Sequence, residues 1–202
     1  MANTKSNKIT TYDKKMKQTF SSFPFPLFLF LLISTSTSHG ITANDLLRRT
    51  CKKCAQSDPN LSYNFCVSSI QAAPKSHYAD DLRELGMISI KLVRRNITNS
   101  MSYIKELLKN KRLDPFIRSC LHDCFDLYSD AIPTTKQAID DYKSKHYDDA
   151  NIDVTSVMDA STTCEDGFKE KEGVVSPLKK RNNDTFQLSA ISLSIINMLL
   201  LN

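Results

Sequence analysis

The sequence predicts an all-α protein: an up-and-down four-helix bundle preceded by an N-terminal helical hairpin, disulfide-linked. Three observations point there. From Gly86 onward, apolar residues recur every three or four positions, the spacing that gathers them on one face of a helix. Glycine and proline are scarce, 4 and 7 in 202 residues, whereas a β-rich fold needs many turns built from them. All six cysteines lie beyond residue 50, and an even count reads as a disulfide framework in a secreted chain. The glycines Gly40, Gly86, Gly167 and Gly173 have neither dinucleotide-binding nor P-loop spacing, which excludes those nucleotide folds.

Residues 1–40 read as a secretory signal peptide. Lys5, Lys8, Lys14, Lys15 and Lys17 form a basic lead, Phe23 to Ile33 an apolar run, and Ser34 to Gly40 a small, polar end. The apolar run is short of the roughly 20 residues a spanning helix needs, and it contains Pro24 and Pro26. This segment holds five lysines and one acid, Asp13, so it supplies +4 of the formal charge of +5. The remainder is nearly neutral, which removes the electrostatic case for nucleic acid as a partner. The sequons at Asn60, Asn96 and Asn183 fit the same secreted, extracellular setting.

Residues 41–74 are expected to form the hairpin, turning at Asp58-Pro59 between about Asn44 and Gln71. The bundle follows over residues 75–202. Its first helix, from Gly86 to Lys111, places Ile90, Val93, Ile97, Met101, Ile104 and Leu108 on one face. Asp114 then serves as N-cap with Pro115 at the first helical position. The second helix runs through Cys120, Leu121, Cys124 and Tyr128 to Tyr142, and Pro133 should kink or split it. The third carries Ala150, Val154, Val157, Ser161, Cys164 and Phe168 and stops near Gly173. Asp184 and Gln187 resemble a capping box opening the fourth, with Leu188, Ile191, Ile195 and Leu199. That 3–4 stepping fits a bundle helix better than a lipid-anchor signal, so no stable membrane anchor is expected after signal cleavage.

This geometry bears on the cysteines. If the second and third helices turn near Ser144, Cys124 and Cys164 both lie ~30 Å from the turn, opposite each other, and a bridge between them is reasonable. Cys51 and Cys66 are likewise symmetric about Asp58-Pro59. In the loop-entropy description such bridges contribute about 3 kcal/mol for the shorter loop and about 4 kcal/mol for the longer.

The stretches Thr50-Cys51-Lys52-Lys53, Phe65-Cys66-Val67, Pro74-Lys75-Ser76, Asp123-Cys124 with Leu127-Tyr128, Thr163 to Phe168, and Gln187 to Leu193 resemble the plant invertase and pectin methylesterase inhibitors. The resemblance covers nearly the whole chain beyond the signal. It implies a four-helix bundle behind a small helical hairpin, with disulfides corresponding to Cys51–Cys66 and Cys124–Cys164. It also implies a secreted enzyme inhibitor whose partner is a carbohydrate-active enzyme, acid invertase first and pectin methylesterase as the alternative. Two departures stand out. Cys54 and Cys120 fall outside the four-cysteine pattern, leaving either a third bridge between them or separate thiols. Some invertase inhibitors of the family carry Pro-Lys-Phe at the turn between the second and third bundle helices, where this chain has Lys145-His146-Tyr147. Those three residues are the candidate target contact: an aromatic plug beside a cation, suited to an acidic sugar cleft.

No catalytic residue, metal site or cofactor is expected. Cys51-x-x-Cys54 lacks the βαβ context of a redox motif. His122 and Asp123 beside Cys120 and Cys124 invite a metal or thiol reading, which oxidation of those cysteines would remove. Asp140-Asp141 and Asp148-Asp149 read as solvated faces flanking the turn, since adjacent helical residues do not face each other. The alternative from another class is a carrier of a small apolar ligand in a helical cavity.

Overall fold

The computed structural model of the chain describes residues 42–201, so the signal-peptide expectation for residues 1–40 lies outside it. Helix α1 (Ala43–Ser57) is capped by Thr42, whose Oγ1 accepts the Asp45 N–H at 3.1 Å. Helix α2 (Tyr63–Gln71) is capped in the same way by Ser62, which accepts the Phe65 N–H at 3.3 Å. The reversal between them is tightened by Asp58, which accepts the Asn60 N–H at 2.8 Å, a local side-chain turn of the kind Asp favours. Cys51 and Cys66 are joined across the hairpin with Cα atoms 5.6 Å apart. A short 3₁₀ turn, Ser76–Tyr78, leads onward.

Four long helices follow: α3 (Leu82–Leu108), α4 (Pro115–Lys143), α5 (Tyr147–Lys169) and α6 (Lys179–Leu200). Helix α3 packs on α4, α4 on α5, α5 on α6, and α6 closes the ring on α3. Short connections make consecutive helices antiparallel. The stripes read from the sequence face inward: Ile90, Val93, Ile97 and Ile104 of α3 are buried, as are Val154, Val157, Cys164 and Phe168 of α5. Each such large aliphatic side chain contributes about 1.5–3 kcal/mol through burial. Helix α6 differs from its neighbours. From Gln187 to Ser192 every residue is buried, because α6 is wrapped by α3, α5 and both hairpin helices. Leu47, Cys54 and Ile70 of the hairpin share one apolar cluster with Ala190, Ile191 and Ile195.

Several expectations need correction. Helix α3 begins four residues before Gly86, at a cap in which Asp81 Oδ1 accepts the Glu84 N–H and Glu84 accepts the Asp80 N–H, both at 2.8 Å. Pro133 does not split α4, which runs continuously through it. Buried Ala131, Thr135 and Ala138 hold the register on both sides, and Thr134 Oγ1 donates to the Asp130 carbonyl at 2.9 Å. The capping box at Asp184 is not one. Helix α6 starts at Lys179, and Asp184 pairs with Lys180 one turn back at 2.6 Å. Gln187 instead reaches the hairpin turn, accepting the Ser62 N–H at 2.9 Å and donating to the Asn60 carbonyl. Of the two alternatives left open for the remaining cysteines, the structure has separate thiols. Cys54 is buried in the hairpin cluster and Cys120 in the α3–α4–α5 core, and both are free thiols.

Candidate functional site

Helix α4 ends in a complete two-bond C-terminal reversal. The Lys145 N–H donates to the Tyr142 carbonyl at 3.2 Å, and the His146 N–H reaches back to Asp141 at 2.9 Å. This pattern requires a left-handed residue at the position after the cap, commonly glycine. Here Lys145 occupies it with φ 64. The left-handed backbone turns the chain sharply enough for α5 to begin at Tyr147, leaving Lys145 and His146 exposed at the tip.

Tyr147 is placed differently from a free plug. Its ring meets that of Tyr142 edge-on, with centroids 5.2 Å apart and planes at 66°, and the residue is half-buried. Tyr142 is itself buried and its Oη donates to the Arg83 carbonyl at 3.0 Å. Burial pushes the Tyr142 hydroxyl above its ordinary range, and Tyr147 and Asp81 add to that shift. Gly86 makes the arrangement possible: a methyl group there would collide with Tyr142 Oη and come within 2.9 Å of Ile195 Cγ2. The tip is thus continuous with a cleft lined by Asp81, Arg83, Glu84 and Met87 from the start of α3. Those α3 residues were not expected at the site. Their local signal, the Asp81–Glu84 cap, announces a helix start and not a neighbour some 60 positions onward.

Two acids that read as separate solvated pairs also converge here. Asp141 from the last turn of α4 and Asp149 from the first turn of α5 lie beside His146, with ligand atoms of all three within 4.8 Å of one another. Gln137 Nε2 donates to both oxygens of Asp141, at 3.1 and 3.0 Å. Asp153, one turn beyond Asp149, has its carboxyl held above the usual range by burial and by the charges of Asp141 and Asp149.

Far from this turn, Cys124 and Cys164 join α4 to α5 with Cα atoms 4.9 Å apart. A buried polar network surrounds the bridge. Tyr128 Oη donates to Asn182 Oδ1 at 2.6 Å, and Asn182 Nδ2 donates to Glu165 at 2.8 Å. Burial pushes the Tyr128 hydroxyl up to about 12 and the Cys54 thiol up to about 11, which makes the latter a poor nucleophile. Desolvation first, and then the Asp123 charge, also raise the Cys120 thiol.

The three sequons differ in setting. Asn60 is exposed on the hairpin turn. Asn96 is half-buried and spends its amide on the Arg181 carbonyl at 3.1 Å and Thr185 Oγ1 at 2.7 Å. Asn183 is exposed, but the Thr185 of its sequon is buried.

Residues 45–195 match the family described as plant invertase/pectin methylesterase inhibitor. The chain belongs to this inhibitor family. A relative from Platanus acerifolia, named "Putative invertase inhibitor", is 47% identical over 159 residues, 79% of this chain and 88% of its own. One from Arabidopsis thaliana, named "Pectinesterase inhibitor 12", is 35% identical over 158 residues, 78% of this chain and 90% of its own. A crystal structure of a mutant pectin methylesterase inhibitor from Arabidopsis superposes with a TM-score of 0.60 at 21% identity, covering 71% of this chain and 96% of that one. That likeness confirms the inhibitor fold. None of this family member's described helices is long and apolar enough to cross a membrane.

Proposed function

We propose that the protein is secreted and inhibits a plant acid invertase by 1:1 occlusion of its active-site cleft, with the α4–α5 turn as the contact. The observation that carries this reading is the tip itself. Lys145 and His146 stand exposed on a backbone reversal fixed by two hydrogen bonds, beside the half-buried Tyr147. A rigid turn presenting a cation and an aromatic edge loses little conformational freedom on docking into an acidic cleft. The invertase assignment is supported by the name of the Platanus acerifolia relative at 47% identity. An N-glycan is proposed on Asn60, whose side chain is exposed on a loop.

Pectin methylesterase is the second reading, favoured by the Arabidopsis pectinesterase inhibitor at 35% identity. Assaying the purified, oxidised protein against both enzymes decides between them. Inhibition of invertase alone, weakened by replacing Lys145, His146 and Tyr147 with Ala, supports the first reading. Tyr147→Ala alone should cost about 2 kcal/mol if Tyr147 is a hot spot. Inhibition surviving the triple replacement moves the contact to another surface. Uptake of a fluorescent fatty acid without inhibition of either enzyme supports the ligand carrier instead.

A further inference from the structure

We infer that the solvent face of α3, with the groove it shares with α2 and α6, binds a linear acidic polysaccharide carrying one carboxylate per sugar. Three features carry this. The first is charge segregation. Residues 42–113 hold 13 cations and 6 acids, whereas residues 114–172 hold 6 cations and 14 acids, counting histidine as neutral. The near neutrality of the chain beyond the signal therefore hides a basic part and an acidic part. The acids of α4 turn towards α5 and not α3: Asp123, Asp126 and Asp130 share a groove with Asp166 and Glu170. A surface of one sign raises the local concentration of oppositely charged partners.

The second is the composition of the face itself. From Leu85 to Lys105, α3 contains four cations, Lys91, Arg94, Arg95 and Lys105, and no acid. Their spacing, with Thr98 and Ser102 filling the gap, sets them in one exposed row. None of the four makes an ion pair with a described carboxylate. Glu106, next in the row, is already taken by Lys109 at 2.6 Å. Lys105 is steadied over the Phe125 ring at 5.4 Å. Helix α2, packed beside α3, has no charged residue to compensate the row. At 1.5 Å per residue the row spans about 21 Å, which suits a chain of charges better than a single ion.

The third feature selects a sugar among polyanions. Between α2, α3 and α6 lies a groove of about 350 Å³, with Phe65, Leu92 and Leu188 as apolar lining and Arg95 and Asn99 contributed by α3. Lys180 and Asp184 of α6 also line it but neutralise each other at 2.6 Å, so Arg95 is its unpaired charge. Asn99 is exposed and has no hydrogen-bond partner among the described residues. The apolar lining suits the C–H face of a sugar ring, Asn99 its hydroxyls, and the Arg95 guanidinium its carboxylate. Single-stranded nucleic acid calls for exposed rings to stack on, and a membrane for exposed apolar side chains. Helix α3 has no exposed large hydrophobic residue. The choice of a polysaccharide rests on the secreted reading above. Its test uses no target enzyme and no residue of the α4–α5 turn, so its failure and that of the inhibitor reading are distinguishable.

The test is calorimetric titration of a polygalacturonate oligosaccharide into the purified, oxidised protein, with each variant's helicity checked by circular dichroism. Binding should weaken as salt is raised, since added ions screen exposed charges. Arg95→Glu should weaken it at least about 10-fold. Lys136→Glu, the same charge change on the exposed surface of α4, should leave it within about 2-fold. Arg95→Gln should weaken it about 5-fold and covers the case in which Arg95→Glu unfolds. Asn99→Ala should cost about 3-fold. The fully methyl-esterified oligosaccharide, which has no charge, should bind at least about 10-fold more weakly than the acid form. Absence of binding to the parent protein overturns the proposal. Equal weakening by Arg95→Glu and Lys136→Glu also overturns it, since net charge alone would then account for binding. So does equal affinity for single-stranded DNA or for phosphatidylserine vesicles, which would leave a surface without preference for sugars.

Discussion

Helices α4 and α5 meet twice, under opposite constraints. Near the start of α4 they are joined by Cys124–Cys164, and around that bridge Tyr128, Asn182 and Glu165 make specific buried hydrogen bonds. Some 30 Å away along the helix axes, the same two helices reverse at Lys145 and are held by backbone bonds and by Tyr142 against Tyr147. At the bridged end Tyr128, Asn182 and Glu165 are committed to one another. At the reversal, Lys145, His146 and Asp148 are exposed. Covalent constraint at one end lets the other present side chains freely, because the register of the helix pair is already set elsewhere. The half-buried Tyr147 marks the boundary between the two regimes.

This contrast is open to direct attack. Replacing Cys124 and Cys164 together by Ser should cost about 4 kcal/mol for a loop of this length, read as a fall in the urea midpoint. A loss of under about 1 kcal/mol would mean that the polar network alone fixes that end. At the opposite end, Gly86→Ala should cost about 1–3 kcal/mol by overpacking. Adding Tyr142→Phe should recover part of the loss, because it removes the colliding Oη while the ring carbon Cζ at 2.7 Å and Ile195 Cγ2 at 2.9 Å remain. Full recovery would show that the ring at position 142 and Ile195 both yield freely.

Smaller changes sharpen the comparison. Lys145→Gly should raise stability by about 1 kcal/mol, since glycine adopts the left-handed conformation without the side-chain penalty. The same change should weaken invertase inhibition if the cation contributes to the contact. An increase in stability with unchanged inhibition would reduce the lysine's role to that of a spacer. The smallest effect is expected at Asp114, the N-cap of α4. The Ile117 N–H, with Lys171 and the Phe116 N–H, holds its carboxyl below the usual range. A depressed folded-state value means that this stabilisation is present above the unfolded value of about 3.9 and is lost as pH falls through the folded one. Asp114→Asn keeps the cap but removes the charge. It should therefore lower the melting temperature slightly at neutral pH, and the difference should fade in strong acid. A pH-independent difference would trace the effect to cap geometry instead.

The fold was legible because its determinants are local and periodic. Ile90, Val93 and Ile97 announce their helix whatever lies opposite them, and Asp114-Pro115 announces a start. The misreadings arose where a local pattern had a distant partner. Asp184 and Gln187 satisfy the spacing of a capping box, but Gln187 binds a hairpin turn 125 residues earlier in the chain. Pro133 lacks an amide hydrogen, but burial on both sides of it outweighs the missing bond. The position of the turn between α4 and α5 was readable at Lys145-His146-Tyr147. Its internal geometry was not, because the left-handed turn falls on a lysine and nothing in that residue type announces a positive φ. The convergence of Asp141, His146 and Asp149 depends on that same turn, so two adjacent acid pairs looked like solvent-facing charge.

Helix α6 gives the molecule an order of events. It follows every other described element in the chain, yet the hairpin and the bundle both need it as a wall. At synthesis rates of about 5–20 residues per second, α6 is complete about 2–6 s after α5, which ends at Lys169 while α6 ends at Leu200. During that interval the hairpin can close its Cys51–Cys66 bridge with only the start of α3, through Leu82 and Leu85, to pack against. Cys54, later covered by α6 and bonded to Ser194, stays within reach of the same oxidant. Docking of α6 completes the burial of Cys54, the hairpin's spare thiol.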